Sequence, residues 1–193
     1  MRIVAGAYRG RRISTPKGTA TRPTTDRVRE ALFSALSSRL GADLGAPRVL
    51  DPFAGSGALG LEALSRGATQ VTFVERDRRA LQALNANIAS LGAEDRVHVL
   101  PWDVFSLATR ALPGGPFALL LLDPPYRIPS AEVAALVEGL AASGALTSDC
   151  VVTWEHASAV DLLWPEGFSV MSSKRYGDVA IDIAETGTGA TRP

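Results

Sequence analysis

A chain of 193 residues, 46% of them hydrophobic and only one a cysteine, suits a single globular domain and excludes a disulfide framework or a cysteine-built zinc site. The formal net charge of zero conceals an asymmetry: residues 1 to 39 carry nine Lys and Arg against Asp26 and Glu30, a balance of +7, so the remainder balances at −7. A basic arm on an acidic body points to a polyanionic partner, although a solvated basic face would leave the same pattern.

The N-terminus is interrupted by Arg9, Arg11 and Arg12 where a secretory signal would need an apolar core. The longest apolar run, around Ala118 to Leu122, is too short to span a bilayer. A soluble cytoplasmic protein is expected. Ile3-Val4 and a weaker stretch ending at Ile13, among Gly6, Gly10 and four arginines, predict a small β-hairpin or extended arm. Pro16, Gly18 and Pro23 make residues 14 to 23 a linker. Thr24 or Thr25 then caps a helix with Asp26 in its first turn, where the dipole favours an anion. Val28, Leu32, Ala35, Leu36 and Leu40 recur at helical spacing and turn that helix toward the body.

From Arg48 strands and helices alternate. Val49-Leu50 ends at Asp51-Pro52, and the glycine loop Gly55-Ser56-Gly57 leads into a helix to Ser65. Val71 to Val74 closes on Glu75. Asp77 caps a helix with Leu81, Leu84, Ile88 and Leu91 on its apolar face. Val97 to Leu100 precedes Trp102-Asp103. Phe117 to Leu122 is continuously apolar, as a central parallel strand covered on both faces should be, and it stops at Asp123-Pro124-Pro125-Tyr126. A helix over 131–142, a strand over 150–154 and terminal strands near 168–171 and 179–183 follow. The alternation predicts a doubly wound α/β sheet. The expected organisation is an arm and linker over 1–23, a body over 24–184 led by a helix over 24–40, and a disordered tail over 185–193.

Ligands of open parallel sheets bind at the carboxyl ends of the strands, and Asp51, Glu75, Asp103 and Asp123 each end or just follow a predicted strand. Gly55 to Gly60 matches G-x-G-x-x-G, with Glu75 placed as a ribose-binding acid would be, but that fingerprint is weak alone. The longer loop after Asp51-Pro52 and the negative charge of Asp51 suit a cationic ligand better than a pyrophosphate. S-adenosylmethionine presents an ammonium, a sulfonium and ribose hydroxyls. The purely structural alternative is a tight turn with glycines for helix–strand packing.

Asp123-Pro124-Pro125-Tyr126 carries more chemistry. Two prolines fix the backbone and remove two N–H donors, leaving carbonyls free to accept. An exocyclic NH₂ of a nucleobase is a poor nucleophile because its lone pair is delocalised into the ring. Accepting its two protons on the Asp123 carboxylate and the Pro124 carbonyl would localise that pair. Tyr126 can stack on the base and hold it out of its own stack. The bland alternative is a strand-ending turn with a half-buried tyrosine. His98 and His156 are expected to be structural, Trp154 and Trp164 to pack in the core or at an edge, and no set of side chains has metal-ligand spacing.

These motifs resemble those of class I methyltransferases. The block Arg22 to Phe33, preceded by Tyr8-Arg9-Gly10-Arg11, is similar to the RsmD family of 16S rRNA guanine-N2 methyltransferases, as are Phe53 to Ala68 and the Tyr176-Gly177-Asp178 turn. The chain departs from the family pattern at Pro101-Trp102. The resemblance implies a Rossmann-like, mostly parallel sheet with an antiparallel C-terminal strand, and S-adenosylmethionine held by Asp51, Gly55, Ser56, Gly57, Glu75 on the ribose and Asp103 on the adenine amine. Asp123, Pro124 and Tyr126 would orient the target base. Arg2, Arg9, Arg11, Arg12, Arg22, Arg27 and Arg29 would grip phosphates of 16S rRNA, in an assembled or assembling 30S subunit met by a monomer. Some of Arg22, Arg27 and Arg29 could instead pair with acids of the body. Alternatives are methylation of adenine N6 or cytosine N4, a non-catalytic RNA-binding module, and an NAD-dependent oxidoreductase.

Overall fold

A computed structural model describes residues 1–15, 26–41 and 44–187. The expected Thr24 or Thr25 cap, most of the linker and Arg22 lie outside them. Seven strands form one sheet in the order β3-β2-β1-β4-β5-β7-β6. They are β1 (Arg48–Asp51), β2 (Gln70–Val74), β3 (Val97–Leu100), β4 (Phe117–Leu122), β5 (Leu146–Ala157), β6 (Phe168–Tyr176) and β7 (Val179–Thr186). β1 to β5 pair in parallel, while β7 runs antiparallel between β5 and β6. The helices are α1 (Asp26–Leu40), α2 (Ala58–Ser65), α3 (Arg78–Leu91) and α4 (Ser130–Ala142).

Both sheet faces are covered, and the continuous apolar character of β4 follows from that. Leu119 and Leu121 join one core with Phe33 and Leu36 of α1, Leu61 of α2 and Leu84 and Ile88 of α3. Phe117, Leu120 and Leu122 join the other with Val133, Leu136 and Leu140 of α4. Asp77 caps α3 as its position predicts, accepting from the amides of Arg79 at 3.0 Å and Ala80 at 2.9 Å. Gly92 ends the same helix in the left-handed region at φ 63. Among the described residues, no helix is long and apolar enough to cross a membrane.

The N-terminal hairpin is closed by a single antiparallel bridge between Arg2 and Arg12. It does not project: Ile3 and Ile13 are buried within the main core. β5 is longer than its apolar segment suggests. The expected strand over 150–154 is extended at both ends, by 146–149 and by 155–157. Past Trp154 the strand continues because β7 pairs with it from Val151↔Glu185 to Ala157↔Val179, while at its start Leu146 pairs with Phe117 of β4. β7 itself runs to Thr186 and takes in the first two residues of the expected tail. Glu185 there pairs with Arg39, and the Thr186 hydroxyl donates to the Thr147 carbonyl at 3.3 Å. Trp154 is buried, with Trp164 edge-on to it at 5.4 Å. Buried His156 lies 3.6 Å from Asp182.

Candidate active site

The chain proceeds outward from β1 to β2 and β3, then returns to the other side of β1 as β4. That reversal makes the carboxyl ends of β1 and β4 the topological switch point. Asp51 is the last residue of β1 and Asp123 the first after β4, with Glu75 directly after β2 and Asp103 three residues beyond β3.

Asp51 is 1% exposed. Its Oδ2 accepts the Gly60 amide at 3.0 Å, while its Oδ1 has no hydrogen-bond partner. Burial, opposed by the backbone N–H groups of Gly60 and Phe53 and reinforced by the charges of Asp123 and Glu75, pushes its carboxyl up to about 7. Three acids therefore share one electrostatic environment at the sheet edge. A buried acceptor without a partner, among like charges, is an environment a cation relieves. The donor set thus fits the ammonium and sulfonium of the expected methyl donor.

The glycine loop wraps this point. Gly57 adopts φ 85, and a Cβ there would meet Leu84 Cδ1 at 2.5 Å; a Cβ on Gly60 would meet the Phe73 ring at 2.3 Å. These two glycines let α2 sit tightly on β2 and α3. Around Gly55 a Cβ would meet nothing within 4 Å, which leaves open space on the loop. Glu75 ties two loops together. Its Oε2 accepts from the Gly55 amide at 3.0 Å, and its Oε1 accepts from the amides of Arg76 and Asp77, each at 2.7 Å. A carboxylate with four lone-pair sites keeps capacity for a ribose hydroxyl under such bonding.

Asp103 accepts from the Phe105 amide at 3.0 Å and so caps a short 3-10 helix (Val104–Thr109). Its other oxygen meets Arg76 Nη1 at 2.5 Å, and both side chains are largely exposed. Such a pair is weak and readily exchanged for another donor. At the far side, Pro124 is buried, Asp123 half-buried, and Tyr126 54% exposed, which presents its ring for stacking. The Ile128 amide donates to the Pro125 carbonyl at 2.9 Å and closes the turn between β4 and α4.

The arginines divide. Arg2, Arg9, Arg11, Arg12 and Arg27 are exposed; Arg2 Nη1 donates to the Gly10 carbonyl at 2.9 Å, and Arg11 donates to the Ser90 carbonyl. Arg29 does not belong with them. Its side chain is 0% exposed, donates to Asp26 Oδ1 at 2.9 Å and to the Arg2 carbonyl, and has its Nε 3.5 Å from Glu62 Oε2. A guanidinium buried in that way cannot reach a phosphate, so Arg29 is a fastener of the arm. The alternative role, pairing with an acid, is the one it takes.

Three side chains at or behind the site are invisible to motif reasoning. Arg76 holds Asp103. Glu62, 0% exposed, accepts from the amides of Val4 at 2.8 Å and Ala5 at 3.1 Å and from Arg66 Nε at 2.7 Å. Asn87 bonds the backbone of the glycine loop at Ser56. One signal does exist for Glu62: it is the single charge in an otherwise apolar α2, and a charge there needs a buried partner.

A family described as conserved hypothetical protein 95 matches residues 1–185. A ribosomal RNA small subunit methyltransferase D from Haemophilus influenzae is 32% identical over 181 residues, 93% of this chain and 91% of that protein. The Escherichia coli protein of the same name is 44% identical over 127 residues, 66% of this chain and 61% of its own. Among solved structures, a candidate methyltransferase from Escherichia coli superimposes with a TM-score of 0.81 at 34% identity, covering 97% of this chain and 98% of that one.

Proposed function

The chain belongs to the RsmD family, described as conserved hypothetical protein 95, and from that membership we propose that it methylates the N2 amine of one guanine in 16S rRNA, with S-adenosylmethionine as donor. The observation that carries the reading is the gathering of Asp51, Glu75 and Asp123 around the glycine loop, with the Asp51 carboxyl buried among like charges. When bound, the donor supplies an electrophilic methyl group on a sulfonium.

Asp51 and the amides of the loop take the amino-acid end of the donor, Glu75 its ribose, and Asp103 its adenine amine. Asp103 exchanges its exposed Arg76 partner to do so. Tyr126 stacks on the extruded guanine. The Asp123 carboxylate and the Pro124 carbonyl accept hydrogen bonds from the two N2–H groups, which turns the nitrogen lone pair out of conjugation and toward the donor site, and one of these protons leaves the nitrogen once it is methylated. Catalysis then rests on positioning and on fixed negative charge beside an amine that becomes cationic. Arg2, Arg9, Arg11, Arg12 and Arg27 supply exposed charge for the RNA backbone. Such contacts orient the substrate without reading its sequence, and Arg22 completes the proposed set. The substrate is rRNA in an assembled or assembling 30S particle, met by a monomer.

The proposal is tested by incubating the full-length protein and methyl-labelled S-adenosylmethionine with 30S subunits from a strain lacking this modification. Label in the small-subunit RNA is expected; label only on added DNA, or none on RNA, overturns it.

Cofactor affinity carries a pH signature. In the free protein Asp51 holds a proton up to about pH 7, and a bound cation requires its loss. Affinity for S-adenosylhomocysteine, whose ammonium is retained, should rise about tenfold per pH unit below pH 7 and flatten above it. Asp51→Asn should bind more weakly at pH 8 and show no slope between pH 5 and 7. Isothermal titration calorimetry across that range measures both.

A further inference from the structure

Asn87 lies on α3 and is 3% exposed, with its carboxamide facing two backbone segments of different function. Its Oδ1 accepts from the Ser14 amide at 2.8 Å. Its Nδ2 donates to the Ser14 carbonyl and to the Ser56 carbonyl, each at 2.9 Å. Ser14 ends the arm, directly ahead of the stretch that contains Arg22. Ser56 is the middle residue of the glycine loop. A flipped amide would set an N–H against the Ser14 N–H and an oxygen against two carbonyls, so these partners permit one orientation. Both amide protons and one acceptor site are thereby committed, at a depth where water does not replace a lost partner.

We propose that Asn87 is a positioning residue that couples the cofactor loop to the basic arm. A ligand that fixes Ser56 holds the Nδ2 donor in place, and the same carboxamide then holds both backbone groups of Ser14. By reciprocity, an arm fixed on RNA steadies the loop and favours the loop's ligand. The rest of the arm reaches the same site elements: Glu62 and Ser65 of α2 bond Val4, Ala5 and Tyr8, and Ser90 of α3 accepts from Arg11. Without Asn87 those contacts still dock the arm, but its last residues are no longer tied to the loop. The identity of the loop's ligand rests on the function proposed above.

Hydrogen exchange read by mass spectrometry on the full chain, with and without S-adenosylhomocysteine, tests the coupling. In the wild type, peptides over 53–60 should gain protection, and peptides over 9–15 should slow about fivefold or more. In Asn87→Ala the loop response should persist while the arm response falls below about twofold. Asn87→Asp keeps the acceptor for the Ser14 amide and loses the donor to Ser56, so it should behave alike and serves if the alanine variant does not fold. Loop protection without an arm response in the wild type, or an arm response that survives in either variant, overturns the coupling and leaves the cofactor assignment intact. No protection of the loop at all overturns the cofactor assignment, and the coupling falls with it.

Discussion

Asp123→Ala should lower methyl transfer by about 10³-fold, the scale on which a single transition-state acceptor operates, while S-adenosylhomocysteine still binds. The two effects separate because Asp123 follows β4, while the loop's ligand is held from the ends of β1, β2 and β3. Its charge also raises the Asp51 carboxyl. Removing it lets Asp51 ionise more readily, so affinity below pH 7 should hold or rise slightly. Asp123→Asn places a carbonyl oxygen beside an amide N–H and should recover only a small part of the rate, since one of its two termini now opposes the substrate amine. Single-turnover kinetics beside calorimetry distinguish the cases. Joint loss of turnover and ligand binding would mean that Asp123 supports the fold at the sheet edge and has no part in the chemistry.

The largest effect on stability is expected away from the reacting groups, at Glu62. Its carboxylate and the Arg29 guanidinium are both 0% exposed, and two amides of the arm point at the same oxygens. Truncation leaves the buried Arg29 guanidinium with only the exposed Asp26 carboxylate as counter-charge and takes the partner of Arg66 away, a change that costs up to about 3–5 kcal/mol, with two orphaned N–H groups besides. Glu62→Ala should therefore lower the free energy of unfolding by about that amount in urea titrations, with the hairpin the first segment to lose exchange protection. The double variant Glu62→Leu, Arg29→Met removes both charges together and should recover a large share of the loss. A change below about 1 kcal/mol in Glu62→Ala would show that the pair is not what fastens the arm.

Much of the site was legible because its acids obey topology. A carboxylate at the end of each of several parallel strands is a one-dimensional pattern that survives without knowledge of partners, and Asp51, Glu75, Asp103 and Asp123 all lie at the predicted edge. β4 was legible for the same kind of reason, since burial on both faces writes an unbroken apolar run. Arg29 was legible only as one of two roles: a charge count treats every arginine of the first 39 residues alike, and its burial against an acid depends on Glu62, 33 positions later in the chain. Asn87 was hidden by its own helix, where a polar residue beside Ile88 looks like the start of the solvent face. Its partners at Ser14 and Ser56 lie 73 and 31 positions away. The extension of β5 past Trp154 was hidden because strand pairing with β7 overrides local polarity.

The central claim concerns which base is modified, since the arrangement of an acid, a carbonyl and an aromatic ring would serve any exocyclic amine. The most direct measurement is complete nuclease digestion of small-subunit RNA labelled by the purified protein, followed by chromatography of the nucleosides against authentic standards. The account predicts label in N2-methylguanosine alone, from a single position of 16S rRNA. Label in N6-methyladenosine or N4-methylcytosine would contradict it.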